Sequence, residues 1–174
     1  MSARGPTEEP PAATDAAAVI REYDAARDAL GLRACFVDLQ EFERSLEPDL
    51  PPGAAVADAY LRWMLDRGAT WDGAVFVATV GDAVVGFVSV WARVPQEELD
   101  EPPGEYAAIS DLVVRPAFRR RGLGRRLLTE AERYARTRGA TTLKIGVLTR
   151  NVGAHRLYER VGFSDYRAQM TKRL

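Results

Sequence analysis

The chain has 174 residues, of which 47% are hydrophobic and 28% are charged, a composition typical of one soluble domain with a buried core. It contains one cysteine, Cys35, and one histidine, His155. A disulfide framework and a zinc site built from Cys and His are therefore excluded, and no metal site is expected. The longest apolar runs fall far short of the roughly 20 residues that a membrane-spanning helix needs, which excludes a membrane span.

The net charge of −1 conceals a division of charge along the chain. Residues 1–105 contain 8 Lys and Arg against 20 Asp and Glu, whereas residues 106–174 contain 16 against 5. A basic segment favours an anionic partner, such as a nucleic acid or a phosphorylated cofactor. An acidic segment favours a cation, or it simply keeps the protein soluble. Charge alone does not decide among these partners.

The N-terminal residues give two expectations. They lack the apolar core of a secretory signal and contain acidic residues that a mitochondrial presequence avoids, so we expect a cytoplasmic protein. Residues 1–15 are rich in Ala, Pro and Glu and have little to bury, which predicts a disordered tail. The single domain is then expected over residues 16–174.

The first half of the domain is predicted to contain one strand and several helices. A short strand is expected over 17–23, followed by a short helix that Asp24 caps and Gly31 ends. Two more helices are expected over 37–44 and 56–67, because apolar residues recur there at helical spacing and a proline-rich break separates them.

The second half alternates strands and helices. Strands over 74–80 and 83–94 flank Gly81-Asp82, a dipeptide that favours a hairpin turn. After an acidic loop, the remaining elements are a strand over 105–114, a helix over 122–138, a strand over 141–148, a helix over 151–161 and a strand over 163–172. This order predicts an α/β fold whose central strands run parallel.

The sharpest local signal follows the strand over 105–114. It consists of Arg119-Arg120-Arg121-Gly122-Leu123-Gly124 and leads into a helix. Glycines let the backbone approach a ligand closely, and the first turn of a helix presents free N–H groups at the positive end of the helix dipole. The pattern favours an anion site, although a solvated basic turn has the same composition.

A second segment begins at Asn151, 27 residues after Gly124. Asn151 and Tyr158 are seven residues apart, close to two helical turns, so both project from one helix face. Each also has a purely structural interpretation, since Asn is a common N-cap and a tyrosine late in a helix often serves packing.

Together the two segments resemble the GCN5-related N-acetyltransferase superfamily, whose cofactor signature is Arg or Gln, two residues, Gly, one residue, and Gly or Ala. Here the signature stands at residues 119–124. A second superfamily pattern is matched at Asn151, Ala154, Leu157-Tyr158 and Gly162-Phe163. The resemblance implies a single-domain α/β fold with a mixed, mostly antiparallel sheet, in which a splayed pair of parallel strands binds acetyl-CoA.

The resemblance also implies roles for individual residues. The strand residues would hold the pantetheine arm through their backbone, and the loop amides would hold the pyrophosphate. The expected cofactor-binding residues are Leu112, Val113, Val114, Arg119, Arg120, Arg121, Gly122, Leu123, Gly124, Arg125 and Asn151. Tyr158 is expected near the thioester sulfur as the general acid, because a phenol with a pKa near 10 stays protonated at pH 7.

The general base is less well defined. Many members of the superfamily have a glutamate just before the position of Asp111, where this chain has Ser110. By alternation, Asp111 shares a strand face with Ile109 and Val113, and it is the first candidate base. Glu105, at the start of the strand, is the second. A structural role for Asp111, as the partner of a backbone amide, stays open.

The implied reaction moves an acetyl group to the primary amine of a small molecule or a peptide, by direct attack in a ternary complex. Acidic residues in the first helices and in the loop over 95–104 would favour a cationic acceptor such as a polyamine, an aminoglycoside or a peptide amine. These acidic residues are Glu41, Glu43, Glu47, Asp49, Glu97, Glu98, Asp100, Glu101 and Glu105. An acidic face that only contacts solvent is the alternative.

The sequence raises three other interpretations. Ser110 leaves open a catalytically silent module that binds acetyl-CoA. A nucleic-acid binder using residues 115–126 is disfavoured, because this run lacks interleaved aromatic residues beyond Phe118 and the acidic half would repel phosphates. A covalent route through Cys35 and His155 has no local support. The expected partners therefore exclude nucleic acid and membrane, and a homodimer is left open.

Overall fold

A computed structural model of the protein describes residues 18–172, so the tail expected over 1–15 lies outside them. Within this range the chain forms five strands and four α-helices. The elements are β1 (Val19–Glu22), α1 (Ala25–Leu46), α2 (Gly53–Thr70), β2 (Gly73–Val80), β3 (Ala83–Pro95), β4 (Glu105–Val114), a 3-10 turn (Pro116–Phe118), α3 (Leu123–Thr137), β5 (Leu143–Ile145) and α4 (Val152–Arg160). No helix of this part of the chain is long and apolar enough to cross a membrane.

The strands form one sheet in sequence order, β1-β2-β3-β4-β5. Strands β1 to β4 pair antiparallel, and β5 pairs parallel with β4. The predicted fold class is therefore confirmed as a single-domain α/β fold with a mixed, mostly antiparallel sheet. The prediction that the central strands run parallel is wrong, because the central strands pair antiparallel and the parallel pair of the described residues lies at the edge of the sheet. The hairpin between β2 and β3 turns at Gly81, whose φ of 57° lies in the left-handed region that favours glycine.

Helices cover both faces of the sheet. On one face, α1 and α2 pack on a core that includes Phe36, Met64 and Phe87. On the other face, α3 and α4 pack on a core that includes Val88 and Leu127. Because side chains alternate along a strand, the neighbours Phe87 and Val88 enter opposite cores. Each fully buried side chain of this kind contributes about 1.5–3 kcal/mol to stability.

Helix α1 is one long helix, so the predicted end at Gly31 is wrong. Its beginning is as predicted, because the Asp24 carboxylate accepts a hydrogen bond from the Ala26 amide at 3.0 Å. A Cβ atom on Gly31 would lie 2.7 Å from the Cβ of Val84 in β3. Glycine at this position therefore serves the close approach of the helix to the sheet and does not end the helix.

Two predictions for the C-terminal region are also wrong. Strand β5 has three residues and does not fill the range 141–148, and residues 163–172 form no strand. The side chains of Tyr166 and Arg167 bind carboxylates of the loop between β3 and β4. The segment is therefore anchored to that loop and is not paired with β5.

Candidate active site

Strand β5 pairs with only the first half of β4. Their parallel ladder ends at the pair formed by Ile109 and Ile145, whereas β4 continues to Val114. Within the described part of the chain, no strand therefore pairs on the β5 side with Leu112, Val113 or Val114. The backbone groups at this open end of β4 are therefore available to an extended ligand.

A β-bulge in β4 decides which way its side chains point. The register of β4 on β3 shifts at Ser110, which is an extra residue in the strand. Ile109 consequently joins the core under α3, whereas Asp111 and Val113 face α1 and α2. The prediction that Asp111 shares a face with Ile109 is wrong, because alternation does not continue through a bulge.

The loop after β4 leads directly into the first turn of α3. Gly122 is the N-cap of α3 and has a φ of 77°, and Arg120 has a φ of 64°. The N–H groups of residues 122–125 have no intrahelical carbonyl partner, since they belong to the first turn. A Cβ atom on Gly122 would meet no atom within 4 Å, so the space there is open. The arrangement fits an anionic group such as a pyrophosphate.

The arginines of this loop divide into two groups. The Nε of Arg119 donates to the carbonyl oxygen of Val114 at 2.9 Å, and its guanidinium lies 5.1 Å from the ring centroid of Phe42. Arg119 therefore helps to fix the loop against the end of β4 and α1. The side chains of Arg120, Arg121 and Arg125 are exposed at the start of α3, and Arg126, also exposed, donates to the carbonyl oxygen of Ala18 at 2.9 Å.

The two sequence motifs meet where α4 packs on the start of α3. A Cβ atom on Gly124 would lie 3.0 Å from the Cδ2 of Leu157. Asn151 is the N-cap of α4, because its Oδ1 accepts from the Ala154 amide at 3.1 Å. Tyr158, the residue after Leu157, is buried with 9% of its surface exposed. Tyr158 therefore directly follows the residue of α4 that packs on the start of α3.

Asp111 lies in the interior with 7% of its surface exposed. The hydroxyl of Tyr60, on α2, donates to its carboxylate, with distances of 3.0 Å to Oδ1 and 3.2 Å to Oδ2. The Tyr60 ring is in turn stacked on Phe36 of α1, with centroids 4.5 Å apart. Burial raises the pKa of Asp111 to about 6, and the hydrogen bond from Tyr60 opposes part of this rise.

Glu43 and Tyr158 complete this group of side chains. Glu43 is half-buried on α1, and burial together with the negative charge of Asp111 raises its pKa. Burial raises the pKa of Tyr158 to about 12, and the charges of Glu43 and Asp111 add to the rise. We call these four residues, Glu43, Tyr60, Asp111 and Tyr158, the acid–phenol cluster.

Other candidate residues lie outside the acid–phenol cluster. Glu105 is exposed at the first position of β4, roughly 20 Å along the strand from Asp111 at a rise of about 3.3 Å per residue. Cys35 is a fully buried core residue, and burial raises the pKa of its thiol to about 12. The Nε2 of His155 forms a hydrogen bond of 2.8 Å with the Oδ1 of Asp165. Within residues 18–172, no group of three or more His, Cys, Asp or Glu side chains could hold a metal ion.

The acidic loop between β3 and β4 is partly neutralised by the chain itself. Arg167 forms ion pairs with Glu98 at 2.5 Å and with Glu101 at 2.7 Å. The Tyr166 hydroxyl also donates to the carboxylate of Glu101. Two of the acidic residues that were expected to attract an acceptor are therefore engaged by the C-terminal segment.

Sequence reasoning did not find two members of the acid–phenol cluster. Tyr60 lies in the helix predicted over 56–67 and was given no role, and Glu43 was named only among the acidic residues that would favour a cationic acceptor. Their spacing carries one usable signal, since Glu43 follows the buried Phe36 by seven residues and so lies on the same face of α1. The contact between Tyr60 and Asp111 has no local signal, because 51 positions separate the two residues.

The family model of the acetyltransferase (GNAT) family matches residues 36–163. The matched segment contains all four members of the acid–phenol cluster and both motifs. The chain therefore belongs to this family. Solved structures agree with the fold: a GCN5-related N-acetyltransferase from Ralstonia eutropha has a TM-score of 0.68 at 23% identity, covering 91% of this chain and 99% of that one.

Other similar proteins carry names that refer to N-acetyl transfer. An uncharacterized N-acetyltransferase of Methanocaldococcus jannaschii is 34% identical over 61% of this chain and 44% of its own length. A ribosomal protein bS18-alanine N-acetyltransferase of Salmonella typhimurium is 40% identical over 41% of this chain and 45% of its own length. The chain thus spans less than half the length of these curated relatives. The structure of an aminoglycoside N-acetyltransferase in complex with CoA has a TM-score of 0.64 at 18% identity, covering 96% of this chain and 99% of that one.

Proposed function

We propose that the protein transfers an acetyl group from acetyl-CoA to a primary amine, by direct attack of the amine in a ternary complex. One observation carries the proposal: side chains from the open end of β4, from the first turn of α3 and from α4 (Leu112, Leu123 and Tyr158) belong to one packed cluster. Membership of the acetyltransferase (GNAT) family supports it. Two curated relatives with names that refer to N-acetyl transfer, and the CoA in a similar structure, support it further.

Acetyl-CoA supplies an acetyl thioester whose leaving group is a thiol. In the proposal, the amides of residues 122–125 bind its pyrophosphate at the positive end of the α3 dipole. The exposed side chains of Arg120, Arg121 and Arg125 add positive charge, and Arg119 holds the loop. The backbone of Leu112, Val113 and Val114 binds the pantetheine arm. Asn151 contributes its side-chain NH₂, because its carbonyl oxygen already caps α4.

Tyr158 is the proposed general acid. A thiolate leaving group needs a proton, and the raised pKa of Tyr158 keeps the phenol protonated throughout the neutral range. The same burial that raises the pKa also fixes the ring, which packs edge-on against Phe163 with centroids 6.0 Å apart. The hydroxyl is thereby held in one position for donation.

A carboxylate is the proposed acceptor of the amine proton. An alkyl amine with a pKa near 10.4 is only about 0.04% neutral at pH 7, so a base that removes the proton contributes roughly 10²- to 10⁴-fold to the rate. Of the two candidates from the sequence, Asp111 lies in the acid–phenol cluster and Glu105 lies at the far end of β4. The geometry supports a base at or beside Asp111.

The proposed acceptor is a cationic amine, either a small molecule or a peptide amine. Two carboxyl groups of the acid–phenol cluster favour a cation, and the similar structure in complex with CoA is an aminoglycoside N-acetyltransferase. The rival candidate is a module that binds acetyl-CoA without turnover, since Ser110 stands where a glutamate is common in the family.

Two measurements test the proposed function. Acetyl-CoA should raise the melting temperature of the protein, and a panel of monoamines, polyamines, aminoglycosides and peptides should then be tested for release of the CoA thiol. Release with at least one amine, accompanied by the acetylated product, is the expected result. Stabilisation by acetyl-CoA with no thiol release over the whole panel would instead support the silent module.

The loop itself is tested by a pair of substitutions at Gly124. Gly124→Ala adds only a Cβ atom that meets Leu157 at 3.0 Å, and it therefore measures the packing between α3 and α4. Gly124→Glu adds a negative side chain in front of the amides as well. Calorimetry should show that Gly124→Glu loses acetyl-CoA binding well beyond the loss in Gly124→Ala, with both proteins folded. Equal affinities in the two variants would remove the loop from the proposed binding site.

A further inference from the structure

The two carboxyl groups of the acid–phenol cluster differ in access. Asp111 is 7% exposed, and both of its oxygens lie within hydrogen-bond distance of the Tyr60 hydroxyl. Glu43 is half-buried, and no hydrogen bond or ion pair of its side chain occurs among the described residues. A group that takes a proton from a substrate must touch that substrate and must afterwards release the proton to water. Glu43 meets this requirement better than Asp111.

The position of Glu43 follows from the packing of α1. Phe36 lies two turns before it on the same face of the helix and stacks on Tyr60, which binds Asp111. Helix α1 also packs against β4, the strand that carries Asp111. The face of α1 that carries Phe36 and Glu43 is therefore directed at the acid–phenol cluster.

The charged and titratable groups around Glu43 come from every neighbouring element. They are Tyr60 on α2, Asp111 on β4, Tyr158 on α4 and the guanidinium of Arg119, which lies over the ring of the adjacent Phe42. The Nε of Arg119 donates to the Val114 carbonyl, and Arg44, the residue after Glu43, forms an ion pair with Glu41 at 2.6 Å, so both of these cations are engaged elsewhere. The space next to Glu43 and Asp111 thus has a net negative charge that a protonated amine would neutralise.

We infer that Glu43 and Asp111 form the subsite for the protonated amine of the acceptor, with Glu43 as the carboxylate that touches it and takes its proton. Asp111 is a positioning residue: Tyr60 holds it, and its charge makes Glu43 a stronger base. In the transfer, one N–H bond of the ammonium group breaks, and its electron pair stays on nitrogen. The proton moves to a carboxylate oxygen of Glu43 and is then released to water. This inference rests on the proposed function and adds the acceptor site to it.

Binding of a diamine tests the subsite without turnover. Calorimetry would use 1,4-diaminobutane and protein saturated with CoA, which has no acetyl group to transfer. Glu43→Gln should weaken binding at least tenfold, because it keeps the shape of the side chain and removes its charge. Asp66→Asn removes the same charge from the exposed face of α2 and should change the affinity less than twofold. Equal affinity of Glu43→Gln and the wild type would overturn the subsite.

The pH profile of kcat/KM separates the roles of the two carboxylates. Glu43 must be ionised to accept a proton, so kcat/KM should fall as the pH is lowered through its pKa. Glu43→Gln should lose this acidic limb. Asp111→Asn should keep the limb but move it to lower pH, because loss of a neighbouring negative charge lowers the pKa of Glu43. An unmoved limb in Asp111→Asn would remove its positioning role.

Glu43→Asp provides a second test in case Glu43→Gln does not fold. It keeps the charge and retracts the carboxylate by one methylene, so diamine binding should fall only a few-fold while kcat falls more. If the wild type releases no thiol with any amine but binds the diamine through Glu43, the subsite stands and acetyl transfer fails. If thiol is released and the Glu43 variants behave like the wild type, acetyl transfer stands and the subsite fails.

Discussion

At the scale of single residues, burial acts on the acid–phenol cluster in one direction. It raises the pKa of Tyr158 to about 12 and of Asp111 to about 6, since a low-polarity interior disfavours the charged form of either acid. The consequences differ for the two groups. Tyr158 keeps its proton at every pH near neutrality, whereas Asp111 loses its proton close to neutrality at a cost in stability.

Tyr158→Phe tests the proton donor. It keeps the ring and its contact with Phe163 but removes the hydroxyl, so kcat should fall by about 10- to 10³-fold with little loss of acetyl-CoA affinity. Tyr134→Phe is the matched control, because that hydroxyl donates to the carbonyl oxygen of Asp72. For both variants, steady-state kinetics measures kcat and calorimetry measures the affinity for acetyl-CoA. Equal kcat in the two variants, with chemistry rate-limiting, would assign Tyr158 to packing alone.

Asp111→Asn tests the stability cost of the buried carboxylate. A pKa raised from 3.8 to about 6 means that the folded state holds the proton more tightly than the unfolded state. The wild type therefore gains stability as the pH falls from about 7 to about 4, by roughly 2 kcal/mol, and the variant lacks this gain. Urea unfolding at several pH values should show the variant's advantage shrinking toward low pH. A difference that does not change with pH would show that Asp111 ionises normally.

At the scale of elements, local patterns predicted most helices and strands, and contacts distant in sequence account for the errors. Asp24 signals the start of α1 correctly, because a cap depends only on adjacent residues. Gly31 is ambiguous in sequence, since a glycine can end a helix or admit a neighbouring chain, and only Val84 in β3 decides between these. The bulge at Ser110 likewise depends on the register with β3 and so reverses the predicted face.

In the candidate site too, local motifs were predicted from the sequence, whereas contacts between distant residues were not. The loop over 119–124 and the segment that begins at Asn151 are contiguous motifs, and the sequence alone predicts that both belong to one site. Their contact at Gly124 and Leu157 is consistent with this. The relation of Glu43 and Tyr60 to Asp111 was not predicted, because it arises only when α1 and α2 pack on the sheet.

Two glycine substitutions test the packing explanation for α1. Alanine favours a helix over glycine by about 1 kcal/mol, so Gly68→Ala in α2 should stabilise the protein, since its Cβ would lie 3.9 Å from Trp91. Gly31→Ala should instead destabilise it by about 1–3 kcal/mol, because its Cβ would overlap Val84. Guanidinium unfolding of both variants gives the comparison. Stabilisation by both substitutions would contradict the close approach of α1 to β3.

At the scale of the whole molecule, the acidic and basic halves of the chain fold against each other. Arg115 pairs with Asp38 at 2.8 Å, and Arg150 pairs with Glu47 at 3.2 Å. Arg138 pairs with Asp72 at 3.5 Å, and Arg167 pairs with the loop between β3 and β4. Part of the charge division that the sequence shows is therefore internal, and it does not all serve external partners. In the loop between β3 and β4, the carboxylates of Glu98 and Glu101 that pair with Arg167 are the same groups that would attract a cationic acceptor.

Opposite charge changes at this loop should have opposite effects on a cationic acceptor. Arg167→Gln frees two carboxylates and should lower KM for a polyamine at low salt. Joint neutralisation of Glu97, Glu98, Asp100 and Glu101 should raise this KM.

Each effect on KM should be a few-fold, since exposed pairs contribute roughly 0.2–1 kcal/mol. The effects should fade as salt increases, because the screening length is only about 8 Å at 0.15 M. kcat should change less than KM, because attraction acts on encounter and not on the chemical step.

A monoamine provides the internal control for this last prediction. It carries one charge, so both loop variants should change its KM less than that of the polyamine at every salt concentration. Arg160→Gln, which removes an equivalent charge from the exposed face of α4, controls for net charge. If both loop variants treat the two amines as the wild type does across the salt series, the loop only contacts solvent. Selection of a cationic acceptor would then depend on Glu43 and Asp111, which are less exposed to salt because they are more deeply buried.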